Sequence, residues 1–158
     1  HKDILKSDEI HKITELDIFK TPPVKATPRD LTYKQGNDFD YLINGWCAYW
    51  NDVFKPAEPL HPNHVKALIA TESGFRANPG RNAKHTAIGI TQIMPKTVGL
   101  LSQRSKELKD HYIEVTKDEM FDPNINICSS IRWLFRKREL VLRKRKNANW
   151  LDTMEEYK

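Results

Sequence analysis

Cysteine, glycine and long apolar runs are all scarce in this chain of 158 residues, and each scarcity closes off a class of protein. The two cysteines, Cys47 and Cys128, are too few for a disulfide framework or a zinc site. One long-range disulfide and two buried thiols both fit that pair. Apolar runs are short, as at Ala67–Ala70, and none approaches the ~20 residues of a membrane helix. The first residues, His1-Lys2-Asp3-Ile4-Leu5, lack the apolar core of a signal peptide. An excised domain or a processed start would read the same way. Alternation of period two is nearly absent, which leaves helices as the building material.

Charge is plentiful but unevenly placed. The formal net charge is +5. Eight basic residues fall between Arg132 and Lys146 against the single acid Glu139, and the remaining residues sum to −2. This local basicity fits a solvated helix face, or attraction to anionic polymers or phosphorylated lipid heads. It carries no nucleic-acid reading motif, so no nucleic-acid partner is expected.

Ile10, Ile13 and Leu16 mark a short first helix. Thr21-Pro22-Pro23 and Ala26-Thr27-Pro28 then break helical structure, because proline lacks an amide donor. The stretch from about 20 to 38 reads as an extended arm. Residues 1–38 are accordingly taken as an N-terminal arm or linker and 39–158 as the folded domain. Asp38 or Asp40 can cap a helix to about Phe54, with Trp46, Tyr49 and Trp50 recurring at helical steps. Aromatic residues so spaced are core or ligand-stacking platforms, and core is the simpler reading. His61-Pro62 opens the next helix and Gly74 ends it. A polar loop over 76–88 follows, then helices near Pro95–Leu101 and Ser102–Asp110. Asp122-Pro123 starts a long helix to about Arg145, with Ile127, Ile131, Leu134, Phe135 and Leu140 as its core stripe. A last short helix covers Trp150 to Tyr157. His61, His64, His85 and His111 have no metal-ligand spacing, and no cofactor is implied.

Glu72 stands out for a physical reason. It continues the face of Val65, Leu68 and Ile69, so its carboxylate points where apolar groups point. Desolvation disfavours a charged carboxylate and raises its pKa above the ~4.3 of free glutamate. The negative end of the helix dipole acts in the same direction. A glutamic acid that keeps its proton near neutrality is what a general acid requires. The competing reading is a boundary glutamate that turns to solvent or pairs with Arg76.

Three segments weigh against that plain reading. Glu72-Ser73-Gly74-Phe75 is followed by Ala87-Ile88-Gly89-Ile90-Thr91-Gln92-Ile93-Met94-Pro95, and then by Asp122-Pro123-Asn124-Ile125-Asn126-Ile127. Together they resemble the soluble lytic transglycosylase family, which is related to goose-type lysozyme. In that family a Glu-Ser pair closes an apolar helix, a Gly-Leu-Met-Gln-(Ile/Leu)-Met-Pro segment follows, and a later helix carries Asn-Ile and then Tyr-Leu. Here the last pair is Trp133-Leu134. Thr91 stands where the family commonly has methionine, and Ser130 where it often has glycine. The family's Ala-Tyr-Asn continuation is absent, although Glu155-Glu156-Tyr157-Lys158 resembles its beginning.

The resemblance implies a mainly α, lysozyme-like domain that cleaves the MurNAc-GlcNAc β-1,4 bond of peptidoglycan. It further implies Glu72 as the acid/base, with the sugar's own C6 hydroxyl closing a 1,6-anhydro ring. Ser73, Gly89, Ile90, Thr91, Gln92, Met94 and Tyr157 are the implied substrate-binding positions, Tyr157 lying against the carboxylate. Ordinary glycosidases need two carboxylates, ~5–5.5 or ~6.5–9.5 Å apart. No second acid accompanies Glu72 in the first two segments, and Asp122 of the third begins a distant helix that it more simply caps. The alternatives are a hydrolytic muramidase on the same scaffold, with a second acid among Glu58, Asp118, Glu119 and Asp122, and a non-catalytic wall-binding module. The substrate lies in the periplasm or outside the cell. An exported antibacterial or wall-remodelling protein is therefore the expected setting, with a neutralising immunity protein as partner if it is a toxin.

Overall fold

The computed structural model describes residues 1–20, 37–77 and 86–157. The arm expected over 20–38 and the expectation for His85 lie almost wholly outside them. The described residues are mainly helical: β1 Ile4–Lys6, α1 Ser7–Ile13, α2 Asp40–Phe54, α3 Pro62–Ser73, α4 Pro95–Leu100, β2 Tyr112–Glu114, α5 Pro123–Lys144 and α6 Trp150–Glu156. Among them, no helix is long and apolar enough to cross a membrane.

The fold is organised around α5 and the aromatic face of α2. Trp46 and Trp50 are completely buried, which places them in the core and away from any sugar. A buried indole N–H needs an acceptor. Trp46 Nε1 donates to Asn124 Oδ1 at 2.8 Å and Trp50 Nε1 to the Cys128 carbonyl at 3.0 Å, so both are satisfied by α5. Gly45 lets the Phe19 ring lie directly on α2, because a Cβ there would overlap the ring. Arg132 is buried beside this layer and donates to the Asp110 and His111 carbonyls, with its guanidinium 4.6 Å from the Phe54 ring centre. Burial pulls its pKa down to about 10. Cys47 and Cys128 are free and buried, which excludes the disulfide among these residues, and burial pushes both thiols up.

Capping chemistry explains where the helices begin. His61 Nδ1 accepts from the Asn63 amide at 3.1 Å and Pro62 takes the first turn of α3. Asp122 accepts from the Asn124 amide at 2.8 Å to start α5. The expected caps of α2 are not used. Phe39 is its N-cap residue, and Asp40 instead forms a buried ion pair with Lys66 of α3 at 2.6 Å.

Three further differences have local causes. The helix expected over Ser102–Asp110 is reduced to a 3₁₀ turn at Gln103–Ser105. Ser102 and Ser105 spend their hydroxyls on nearby carbonyls, which competes with helical bonding. Val141 joins the buried face of α5, whereas Leu140 stays half-exposed. The parallel pair β1–β2, with Leu5 opposite Ile113, is too short to show alternation in sequence. Through it, and through buried Ile10 and Phe19, residues 1–20 join the core.

Candidate active site

The site forms where the end of α3 meets the turn before α4. Helix α3 stops because Gly74 takes the left-handed conformation, φ 61°. Glu72 lies in its last turn, half-buried. The next residue, Ser73, is buried, and its hydroxyl donates to the Ile90 carbonyl at 2.6 Å. Arg76 places its Nε on the Ser73 carbonyl at 3.1 Å. The backbone beside Glu72 is therefore pinned from two sides.

The facing turn is closed by Ile88 and Ile93, which exchange backbone bonds at 2.7 and 3.0 Å. At its tip Gly89 has φ 72° and Gln92 φ 54°. Gln92 holds this uncommon conformation by donating both its amide and its Nε2 to the Gly89 carbonyl, at 3.0 and 2.9 Å. Glycine is required at position 89 for space as well as for φ, because a Cβ would collide with the Asn126 amide.

Asn126 of α5 is the hub that holds the turn. Its Oδ1 accepts from the Thr91 amide at 2.9 Å and the Thr91 hydroxyl at 2.6 Å. Its Nδ2 donates to the Ile88 and Met120 carbonyls at 3.0 and 2.9 Å. The Thr91 and Ser130 hydroxyls are in hydrogen-bond contact. Tyr157, at the end of α6, reaches the same cluster, 3.2 Å from the Thr91 carbonyl and 3.4 Å from Ser130 Oγ. Burial pushes the Tyr157 phenol up, against the pull of its bonds to Ser130 and Thr91, and the Glu72 charge pushes it further.

The structure thus gathers Glu72, Ser73, Gly89, Ile90, Thr91, Gln92 and Tyr157 at one junction. Met94 lies just beyond it, about half exposed at 52%. Ser73, Ile90 and Thr91 have side chains turned inward, Ile90 and Thr91 at 0% exposure, so they can offer a sugar only main-chain atoms. Along α3, a largely apolar groove of about 360 Å³ runs between His64, Ala67, Leu68 and Thr71 on one wall and Leu151, Met154 and Glu155 of α6 on the other. It ends at the residue before Glu72.

A family model for the transglycosylase SLT domain matches residues 55–144. The chain belongs to this family. No curated protein and no solved structure matches it significantly. The SLT match begins before α3 and ends with α5, and so takes in Glu72, the Gly89 turn and Asn126. It assigns the protein at family level to the lytic transglycosylases that act on peptidoglycan, in the periplasm or outside the cell.

The acids held in reserve for a hydrolytic SLT relative are engaged elsewhere, Asp118 excepted. Glu58 accepts from the Trp150 amide at 3.0 Å, Glu119 from the Thr116 amide at 2.9 Å, and Asp122 caps α5. Asp118 is exposed, beside the turn Glu119–Phe121. Among the described residues, no group of three or more His, Cys, Asp or Glu side chains is arranged to hold a metal. Asn126, with Ser130 beside it, was not among the expected site residues. Its only signal was the Asn-Ile pair in the third segment.

Proposed function

We propose that the protein cleaves the MurNAc-GlcNAc β-1,4 bond of peptidoglycan by lytic transglycosylation, with Glu72 as the single acid/base. The observation that carries this reading is the junction itself, one half-buried glutamate at the end of α3, where Ser73 ties the helix to the Gly89–Gln92 turn that Tyr157 also reaches. Glu72 protonates the glycosidic oxygen as the bond to C1 breaks. As carboxylate it then takes the proton of the C6 hydroxyl, whose oxygen closes on C1 to give the 1,6-anhydro end. The enzyme supplies neither a nucleophile nor a water-activating base, so one carboxyl group suffices.

In this reading Gly89, Ile90 and Thr91 contribute main-chain atoms to the cleft wall, and Gln92 and Met94 contribute side chains. The substrate's place implies delivery outside the cytoplasmic membrane, as part of an exported antibacterial or wall-remodelling protein. The antibacterial case requires a neutralising immunity protein in the producing cell.

Digestion of purified peptidoglycan in heavy-oxygen water tests the chemistry. Unlabelled products, one water lighter than reducing ends, are expected. Predominantly labelled reducing ends would show a hydrolase. In parallel, Glu72→Gln should lower the rate by at least ~10²–10⁴-fold with the circular dichroism spectrum retained. Near-normal activity in that variant would remove Glu72 from the mechanism.

A further inference from the structure

A second groove, of about 790 Å³, lies between α4, the 3₁₀ turn Gln103–Ser105 and the end of β2. That size falls within the ~300–1,000 Å³ of sites that take small ligands. The groove starts at Pro95, the residue after exposed Met94. Lys96 of α4, Arg104 of the turn and Lys117 beyond β2 line it. All three are exposed, and none forms an ion pair among the described residues. Glu114 is the only acid among the lining residues, and its Oε1 is held by the Gln103 amide at 2.9 Å. Between the cations lie half-buried Pro95, Leu100 and Val115. Gly99 leaves the groove open beside it, because a Cβ there would meet nothing within 4 Å. The walls are braced in advance. Ser102 and Ser105 Oγ donate to the Gly99 and Leu100 carbonyls at 2.8 Å, and the Ile113 amide to the Leu101 carbonyl at 2.9 Å. A ligand therefore need not order them.

We propose that this groove binds the acidic peptide carried by the muramic acid residues of peptidoglycan, so that the enzyme prefers peptide-bearing strands to bare ones. This rests on the reading of the protein as a peptidoglycan-cleaving enzyme and names a further part of its substrate. The peptide bears carboxylates on its glutamate and at its end, with alanine methyl groups between them. The carboxylates match Lys96, Arg104 and Lys117 in charge, and the methyl groups match Pro95, Leu100 and Val115. A polyol phosphate chain has the charge but no apolar groups for that floor. A bilayer surface calls for large apolar side chains that insert beside the cations. Here Val98 is buried and Leu100 only half-exposed. Each exposed charge pair adds little alone. The peptide is tethered to the glycan being cleaved, so weak contacts act at high effective concentration.

The test compares soluble, uncrosslinked glycan strands in two forms, one with peptides and one stripped of them by an amidase. The protein should cleave the peptide-bearing form with a kcat/KM about tenfold higher, the scale of two or three exposed charge pairs. Replacing Lys96, Arg104 and Lys117 together with glutamine should abolish that advantage through KM and leave the bare form unaffected. Amidating the peptide carboxyl groups should do the same to the unaltered protein. Gly99→Trp, which sets a ring in the groove without touching its charges, should copy the triple variant, whereas Gly99→Ala should not. Calorimetry of both strands with Glu72→Gln should show the same preference in binding, without cleavage. Equal cleavage of the two strands overturns the proposal, as does an equal loss on both in the triple variant. It is also overturned if the triple variant keeps the strand preference but loses binding to phosphatidylglycerol vesicles. If neither strand is cleaved, the proposed function falls instead, and the calorimetry still decides what the groove holds.

Discussion

The two faces of α5 are both dry but are held by different forces. Asn124, Cys128 and Arg132, spaced four apart, line one face, where they receive the Trp46 and Trp50 indoles and stack against Phe54. Asn126 and Ser130, also four apart, line another, where they meet the Gly89 turn and Tyr157. At about 100° per residue, the two-residue offset sets these rows about 160° apart around the helix. Apolar burial dominates the first face, and it is insensitive to direction. The second depends on hydrogen bonds whose donors and acceptors must match atom by atom. A long helix packed firmly on one side becomes a fixed reference on which the other side positions a small polar cluster.

The largest expected effect separates the faces through stability. Trp46→Ala removes a completely buried indole and its bond to Asn124, and should lower unfolding stability by ~3–5 kcal/mol. Denaturant unfolding reads that loss, while kcat per folded molecule should stay near wild type. A large fall in kcat would mean that the faces are coupled. Gly89→Ala should give the opposite pattern. The left-handed backbone costs ~1–2 kcal/mol for alanine, and the added methyl displaces Asn126. A displacement of ~1 Å in a catalytic group costs on the order of 10²-fold in rate, so activity should fall further than stability does.

Smaller effects are expected outside both faces. Arg143, Lys144, Arg145 and Lys146 are exposed at the end of α5, whereas Arg132 is buried and Arg136 and Arg138 reach acidic partners. Reversing Arg143, Lys144 and Arg145 to glutamate should weaken sedimentation with intact walls at low salt and leave cleavage of short soluble chains unchanged. The difference should shrink at physiological salt, where screening acts beyond ~8 Å. Equal losses on both substrates would place this end in the catalytic cleft. The smallest effect concerns His64, whose pKa burial lowers from 6.5. The folded state then binds fewer protons than the unfolded chain just below that value, so stability should fall as pH drops from 7 towards 5. His64→Gln should flatten the pH dependence of the melting temperature, and an unaltered slope would assign it to other groups.

Where the chain carries its own punctuation, sequence and structure agree. His61-Pro62, Gly74, Pro95 and Asp122-Pro123 each act through an amide or a φ angle within a few residues, and the helix ends they mark are found close to those positions. The pairing of β1 with β2 has no such local mark, and the cap of α2 was lost to an ion pair with another helix. The junction divides in the same way. Glu72 and the Gly89 turn lie in motif segments, so their meeting was legible. The inward turn of Thr91 was not, because Asn126, which satisfies it, lies 35 residues further on. No periodicity of one element encodes a bond between two.

The β1–β2 pairing bears on how the chain is made. Asp3 accepts from the His111 amide across 108 residues. Contacts of such separation must close a long loop before they return any free energy, and they slow folding. At ~5–20 residues per second of synthesis, Leu5 waits on the order of 5–20 s before Ile113 exists to cover it. The earlier strand is thus docked late, and through that interval its apolar side chains are open to chaperones and proteases. A substitution that weakens Leu5 or Ile113 would therefore lower the yield of folded protein more than the melting temperature of the molecules that succeed.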